Sequence, residues 1–232
     1  MATKKKATEN GHGTNRIAGA LDKSTGVHLV IQEANLQYAH FTIVGTAPLV
    51  LHHFGKTPRE AMKAKQQAGS TAAKGKKRDP KDFERCFREA QYISDEGWQG
   101  FPAGAIRTAM CDACRTVGFA MTKAKLAVFC EPDGFDKDEG VPLVRITKGE
   151  PQMFEKIERN ETGVADIRVR PMWKPGWEAD IRIKFDADMF TLADVANLLV
   201  RVGEQVGIGE GRHNSKKSYG CGWGTFRLKD RG

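Results

Sequence analysis

A glycine-rich, cationic segment near the C-terminus carries the residues best suited to binding chemistry. It spans residues 207–224, reads GIGEGRHNSKKSYGCGWG and contains six glycines. Glycine lets backbone N–H groups approach a phosphate closely, and neighbouring cations add electrostatic attraction. The polar centre of the segment comprises Arg212, His213, Asn214, Ser215, Lys216 and Lys217. Two interpretations follow, a phosphate-binding loop or a flexible connection between a helix and a strand. The GxxxxGK[ST] spacing typical of nucleotide hydrolysis is absent from the segment.

Two aromatic residues, Tyr219 and Trp223, lie in the same segment. Aromatic rings beside cations suit the stacking of bases from a single strand, which is worth roughly 1–3 kcal/mol per base. Trp177, in contrast, is in phase with Ile181 in an alternating pattern, and this predicts a core position. Tyr219 and Trp223 are therefore the candidates for stacking.

The positive charge of the chain is concentrated in polar segments. The net charge is +8, and cations cluster in the N-terminal MATKKK, in residues 56–88 and in the glycine-rich segment. Clusters of this kind are typical of proteins that bind a polyanion. The candidate phosphate-binding residues in the second cluster are Lys56, Arg59, Lys63, Lys65, Lys74, Lys76, Lys77 and Arg78.

Two adjacent histidines, His52 and His53, raise the alternative of a metal-independent ribonuclease. Such an enzyme needs a general base to deprotonate a 2′-hydroxyl and a cation to stabilise the charged transition state. Either histidine could be the base, with Lys56 or Lys216 as the cation. The competing interpretation is that both histidines lie at the surface or contact phosphate, and this one is favoured.

The cysteines indicate packing rather than metal binding. Cys111 and Cys114 form a single C-x-x-C without a second pair of ligands, and both fall within a predicted helix. We predict neither a metal site nor a cofactor. Five cysteines without regular spacing, no apolar run of membrane-spanning length and no signal-peptide pattern predict a cytoplasmic protein without a membrane partner.

Hydrophobic periodicity predicts an α+β fold. Strands are predicted in AHFTIVGT, AKLAVFC, VPLVRIT, VADIRVRP, WEADIRIKF and WGTFRL, and helices over residues 103–117 and in TLADVANLLVRVGEQV, where Thr191 and Asp194 resemble a capping box. The order corresponds to a ferredoxin-like, RRM-like β-α-β-β-α-β core, an antiparallel sheet with two helices on one face. We expect a disordered basic tail over residues 1–25 and one domain over residues 26–232. We expect residues 55–90 to form a basic insertion in that domain and residues 131–176 to form an elaboration between core strands.

Three segments resemble the RAMP superfamily of CRISPR proteins. FPAGAIRTAM is similar to the start of the first helix in that family, residues 207–228 to its glycine-rich loop and IVGTAPLVLHHFG to its first strand. The resemblance implies a modified RRM-like fold whose subunits assemble head-to-tail along a guide RNA, each with a projecting thumb. It also implies that Arg107, Arg212, Lys216 and Lys217 occupy RNA-contacting positions, and that the basic insertion is a thumb-like arm. A viral or mobile-element relative that binds single-stranded DNA or RNA fits equally well.

The sequence therefore predicts a non-enzymatic protein that binds single-stranded RNA or DNA, largely without sequence preference. We expect a homo-oligomer or filament on the strand. The ribonuclease is the first alternative. The second is a structural assembly subunit whose basic arm binds an acidic protein.

Overall fold

The computed structural model describes residues 31–68, 81–159, 163, 165–215 and 220–229. The chain divides into two compact units, Met1–Asn35 and Leu36–Gly232. In the first unit the structure describes only residues 31–35, which are exposed and have no regular secondary structure. All helices and strands given below belong to the second unit. The predicted basic tail, residues 1–25, lies outside the described residues.

Strands and helices alternate irregularly along the second unit. The strands are β1 (Leu36–Gly45), β2 (Leu49–Val50), β3 (Tyr92–Ile93), β4 (Gln99–Pro102), β5 (Val128–Glu131), β6 (Gly134–Phe135), β7 (Pro142–Lys148), β8 (Gln152–Arg159), β9 (Ala165–Trp173), β10 (Glu178–Asp186) and β11 (Phe226–Leu228). The helices are α1 (Lys56–Ala68), α2 (Phe83–Glu89), α3 (Ala103–Ala113), α4 (Met121–Ala127) and α5 (Leu192–Arg201). A 3₁₀ turn, Cys114–Val117, extends α3, and a π turn, Val202–Val206, extends α5. The predicted mixed α+β architecture is confirmed.

The main sheet is antiparallel and centred on β10. Its strand order is β11-β1-β10-β7-β4-β3, with β5 paired to β10 and β6 paired to β7. β10 pairs with β1 along its whole length on one side, and with β7 and β5 on the other. β11, β1, β10 and β5 therefore lie side by side, each antiparallel to its neighbour.

β10 shows the strict alternation predicted for a half-buried antiparallel strand. Its apolar residues on one face are buried, and they are Ala179, Ile181, Ile183 and Phe185. Side chains on the opposite face are polar, as period-2 alternation in a half-buried strand requires. Trp177, just before the strand, is fully buried, so its predicted core position is confirmed.

Helices α3 and α5 bury their apolar stripes in the core formed by β1 and β10. Ile106 and Met110 of α3 share a single hydrophobic cluster with Val195 and Leu199 of α5. The predicted capping box at the start of α5 is confirmed: the Thr191 hydroxyl accepts from the Asp194 N–H at 3.1 Å, and the Asp194 carboxylate accepts from the Thr191 N–H at 2.9 Å.

One predicted strand begins later than expected. The pattern AKLAVFC predicts a strand over residues 124–130, but its first four residues form the end of α4 and β5 begins at Val128. Ala124 and Ala127 are buried three residues apart, which is helical spacing, whereas Leu126 is exposed. Alanine and lysine favour a helix here, and the short strand that follows has apolar residues at both parities.

The second sheet has three strands in the order β2-β9-β8. β8 and β9 form a hairpin in continuous register from Gln152 opposite Met172 to Arg159 opposite Ala165. β2 follows β1 in the chain and pairs with the C-terminal end of β9, where Leu49 lies opposite Trp173. Among the described residues, no helix is both long and apolar enough to cross a membrane.

Candidate functional site

A groove of about 1470 Å³ lies between α3, the β8–β9 hairpin and the glycine-rich segment. Its walls come from parts of the chain that are far apart in sequence, including Leu51 and His52 after β2. The cationic residues lining it are Lys156, Arg159, Arg168, Arg170 and Arg212. The acidic residues lining it are Asp112, Glu158 and Glu210, so the walls carry an excess of two positive charges.

The hairpin register places two of these cations side by side. Lys156 lies directly opposite Arg168, and Phe154 lies opposite Arg170 on the same face of the hairpin. Opposed residues in an antiparallel pair have Cβ atoms about 4.5–5.5 Å apart. Period-2 alternation therefore places Lys156, Arg168 and Arg170 on one face of the hairpin, whereas Arg159 lies on the opposite face.

Carboxylates connect these cations into an unbroken row of ion pairs. Arg168 contacts Glu158 at 2.5 Å, Glu158 contacts Lys156 at 2.9 Å, Lys156 contacts Glu210 at 3.4 Å, and Glu210 contacts Arg170 at 2.8 Å. The hydrogen bond from Lys156 lowers the pKa of Glu158, so this carboxylate is ionised at neutral pH. Arg170 is buried, and Glu210 supplies the partner that a buried guanidinium requires.

Glycines let the C-terminal segment pack closely against its neighbours. Gly209 and Gly211 have φ angles of 75° and 77°, in the left-handed region that favours glycine. A Cβ atom would lie 2.5 Å from the Val50 carbonyl oxygen at Gly209, and 2.3 Å from the Trp223 ring at Gly211. The segment is therefore held in one conformation where it enters the groove wall.

Trp223 joins the glycine-rich segment to the hairpin. Its half-buried ring packs edge-on against Phe154 at 5.5 Å between centroids, and the Lys156 ammonium lies 5.6 Å from its centroid. The ring thus contacts groove-wall residues, and its role in stacking bases stays a prediction.

Helix α3 presents small and polar residues to the groove. Gly104, Ala105 and Thr108 line it along one side of the helix. At the C-terminal end, the Asn214 side-chain amide donates to the Asp112 carboxylate at 2.6 Å, which fastens the glycine-rich segment to α3. Small side chains keep the wall open, so an extended ligand has access to the helix surface.

The two candidate histidines lie in different surroundings. His52 is exposed to the groove, and partial burial of its ring followed by the Arg170 charge lowers its pKa. His53 is buried, with its Nδ1 atom 2.9 Å from the Glu89 carbonyl oxygen and its Nε2 atom 3.6 Å from Asp136. Of the two, His52 alone lines the groove.

The structure brings together only some of the predicted binding residues. Arg212 lines the groove, Trp223 packs behind it and His213 is exposed next to it. Arg107 lies elsewhere on α3: its guanidinium donates to the Val128 carbonyl at 3.3 Å and stacks 5.2 Å from the ring of Phe129. Arg107 therefore stabilises the contact between α3 and β5.

The basic stretch after residue 55 begins with the largely exposed helix α1. Lys56, Arg59, Lys63 and Lys65 all lie on α1. Arg59 pairs with Glu139 at 2.7 Å, and Lys56, Arg59 and Lys63 do not line the groove. The side chain of Lys65 lies outside the described part of the structure. Seven other predicted residues lie outside the described residues, namely Lys74, Lys76, Lys77, Arg78, Lys216, Lys217 and Tyr219.

Sequence reasoning missed the cations of the hairpin. Lys156, Arg159, Arg168 and Arg170 lie in the region predicted to be an elaboration between core strands. One signal was present, because Arg168 and Arg170 are two residues apart in an alternating strand and must share a face. The stretch that forms β8 was not predicted as a strand, so its pairing with β9 was not foreseen.

The described ranges contain no group of three or more histidine, cysteine, aspartate or glutamate side chains placed to hold a metal ion. Cys111 and Cys114 are both buried in the hydrophobic core, which confirms that they pack as apolar residues. Comparison of the sequence with protein-family models and with curated proteins gives no significant match.

Proposed function

We propose that the chain binds single-stranded nucleic acid in the groove between α3, the β8–β9 hairpin and the glycine-rich segment. The observation that carries the proposal is the convergence of five cationic side chains and a tightly packed glycine-rich segment on one open groove. A phosphodiester backbone needs spaced cations and backbone that can come close, and both are provided.

The size and charge of the groove favour an extended polyanion over a small ligand. Pockets for small molecules have volumes of roughly 300–1,000 Å³. The present groove has about 1470 Å³ and its walls carry an excess of positive charge. Before binding, Glu158 holds Lys156 and Arg168 in position. An incoming phosphate then competes with Glu158 for these two cations.

The strand arrangement supports a ferredoxin-like assignment of the core. β11, β1, β10 and β5 lie side by side, which is the order expected for the split β-α-β units when α3 and α5 are the two helices. β7, β4 and β3 are then additions to that core, and the β8–β9 hairpin projects from it.

Membership of the RAMP superfamily is part of the proposal. The three segments that resemble the family contribute Leu51 and His52, Pro102 and Ala105, and Arg212 to the walls of the same groove. Convergence of separate motifs on one surface is expected for a shared binding site. The same surface would serve RNA or DNA.

Binding of a fluorescent 20-nucleotide strand by an Arg168→Ala variant tests the proposal. We expect about tenfold weaker affinity, or ~1.4 kcal/mol, for both RNA and DNA, because a phosphate partner is lost and Glu158 gains freedom. Arg145→Ala, which removes the same charge from an exposed position on β7 outside the groove, is the matched control. Equal affinities of the two variants would contradict the proposal.

One observation favours a metal-independent ribonuclease as the second candidate. His52 faces the groove with a lowered pKa, so it is neutral and able to accept a proton near pH 7. The same RNA mixtures, incubated with EDTA and run on a denaturing gel, separate the candidates. Intact RNA supports the binding protein, whereas cleavage that is lost in His52→Ala assigns the enzyme.

A further inference from the structure

β8 is an edge strand with an exposed isoleucine at its centre. Among the described residues, β9 is its only strand partner, and β8 ends the order β2-β9-β8. Ile157 is 74% exposed, which is unusual for a large apolar residue in a strand. Glu155 and Arg159 are exposed on the same face. An edge of this kind is a template for pairing with another strand.

We propose that the outer edge of β8 pairs antiparallel with β8 of a second copy of this chain, about a two-fold axis at Ile157. The interface joins two hairpins into one continuous sheet. Ile157 and Arg159 also line the groove, but the pairing uses the open edge of β8 and does not rest on the proposed function.

The charge pattern of β8 selects this partner. Pairing centred on Ile157 sets Lys156 opposite Glu158 and Glu155 opposite Arg159, and the two-fold axis repeats both pairs. Opposite charges directly across a strand pair are stabilising and like charges are destabilising. The five-residue stretch is therefore self-complementary.

Neighbouring registers of the β8–β8 pair place like charges opposite each other. A two-fold axis perpendicular to the sheet keeps equivalent residues on the same face, so each register is centred on one residue that lies opposite itself. Centring on Glu155, Lys156, Glu158 or Arg159 places a charge against its own copy. Within this stretch, only Ile157 avoids a like-charge contact.

In the proposed register, the rows of side chains that cross one hairpin continue across the hairpin of the second copy. Ile167 lies opposite Ile157 in the hairpin and is 39% exposed, so pairing makes a strip of four isoleucines across the two copies. On the other face, Arg168 and Lys156 of one copy meet Glu158 and Asp166 of the second. Charge and apolar surface both match across the axis.

The interface is short, so association is reversible. Five residue pairs bury less than the roughly 1,200 Å² typical of a stable complex. The product is a closed two-fold dimer, because the same edge is used by both copies. This distinguishes it from the open head-to-tail assembly expected from the family resemblance.

Charge reversal tests the pairing by sedimentation velocity over a concentration series. Glu155→Arg sets arginine opposite Arg159 twice, and we expect the dimer dissociation constant to rise about tenfold or more. The double variant Glu155→Arg/Arg159→Glu restores both pairs and returns the constant to near the wild-type value. A wild type that stays monomeric, or a double variant no better than Glu155→Arg, overturns the proposal.

Cysteine cross-linking checks the register. In a background with the exposed Cys221 replaced by serine, Ile157→Cys places two thiols directly opposite each other, about 4.5–5.5 Å apart at Cβ. Glu155→Cys is the matched control, because its copies lie four residues apart along the strands, or about 13 Å. Mild oxidation should cross-link the first variant; equal or faster cross-linking of the second would contradict the register.

Discussion

At the scale of single residues, the groove is organised by carboxylates that hold cations in place. Glu158 contacts both Lys156 and Arg168, and Glu210 contacts both Lys156 and Arg170. Partly exposed ion pairs of this type contribute little to stability. Their effect is on geometry, because they hold long side chains in place. Under the proposed function, these side chains therefore lose less conformational entropy when a phosphate binds.

His52 gives the groove a predicted pH dependence. Partial burial of its ring, and then the charge of Arg170, lower its pKa, so the free protein carries a neutral His52 at pH 7. A phosphate beside the ring favours the protonated form and raises this pKa in the complex. Affinity for a single strand should therefore rise as pH falls from 7.5 to 5.5, by about three- to tenfold.

Replacement of the imidazole isolates this effect. In His52→Gln, fluorescence anisotropy should show little change in affinity over the same pH range. Glu158 does not interfere, because the hydrogen bond from Lys156 lowers its pKa and keeps it ionised throughout. An unchanged pH profile in the variant would assign the proton uptake to another group.

At the scale of elements, the close fit of the glycine-rich segment predicts a cost for adding one methyl group. Gly211→Ala combines a positive φ angle with a Cβ atom 2.3 Å from the Trp223 ring. We expect unfolding in urea to show a loss of about 2–4 kcal/mol, from backbone strain and displacement of the indole.

Gly140→Ala is the matched control for that substitution. Gly140 has a φ angle of 66°, but a Cβ atom there meets no atom within 4 Å. Its expected cost is backbone strain alone, about 1–2 kcal/mol. Equal losses in the two variants would show that contact with Trp223 does not fix the segment.

The elements with strong local periodicity were predictable from sequence. β10 alternates over its whole length and α5 combines an apolar stripe with its own capping box, so tertiary contacts agree with the local pattern. The start of β5 was missed because helix-favouring residues run directly into a short strand.

The candidate site was predictable only in part, for a physical reason. The composition of the glycine-rich segment predicts a binding loop, and Arg212 of this segment lines the groove. Arg107 lies on the side of α3 that contacts β5 rather than the groove, and its sequence neighbours do not show which side of the helix lines the groove. The opposition of Lys156 and Arg168 arises from strand pairing, which depends on register rather than on local residue type.

At the scale of the whole molecule, the groove exists because distant parts of the chain converge on one face. The segment after β2, helix α3, the hairpin and the glycine-rich segment each supply one wall. The hairpin supplies four of the five groove cations and the glycine-rich segment supplies the fifth, so the proposed binding depends on the assembled fold. Its strength should then follow the number of phosphates that the groove neutralises.

The salt dependence of binding is the most direct test of this account. Lys156, Arg159, Arg168 and Arg212 are the groove cations that are not buried. With about 0.7 counterions released per contact on a single strand, the slope of log K against log salt should be about −2.8 or steeper. Fluorescence anisotropy of a labelled 20-nucleotide strand between 50 and 300 mM KCl, about the range in which such slopes are resolved, measures it. A slope near zero would contradict nucleic-acid binding in this groove.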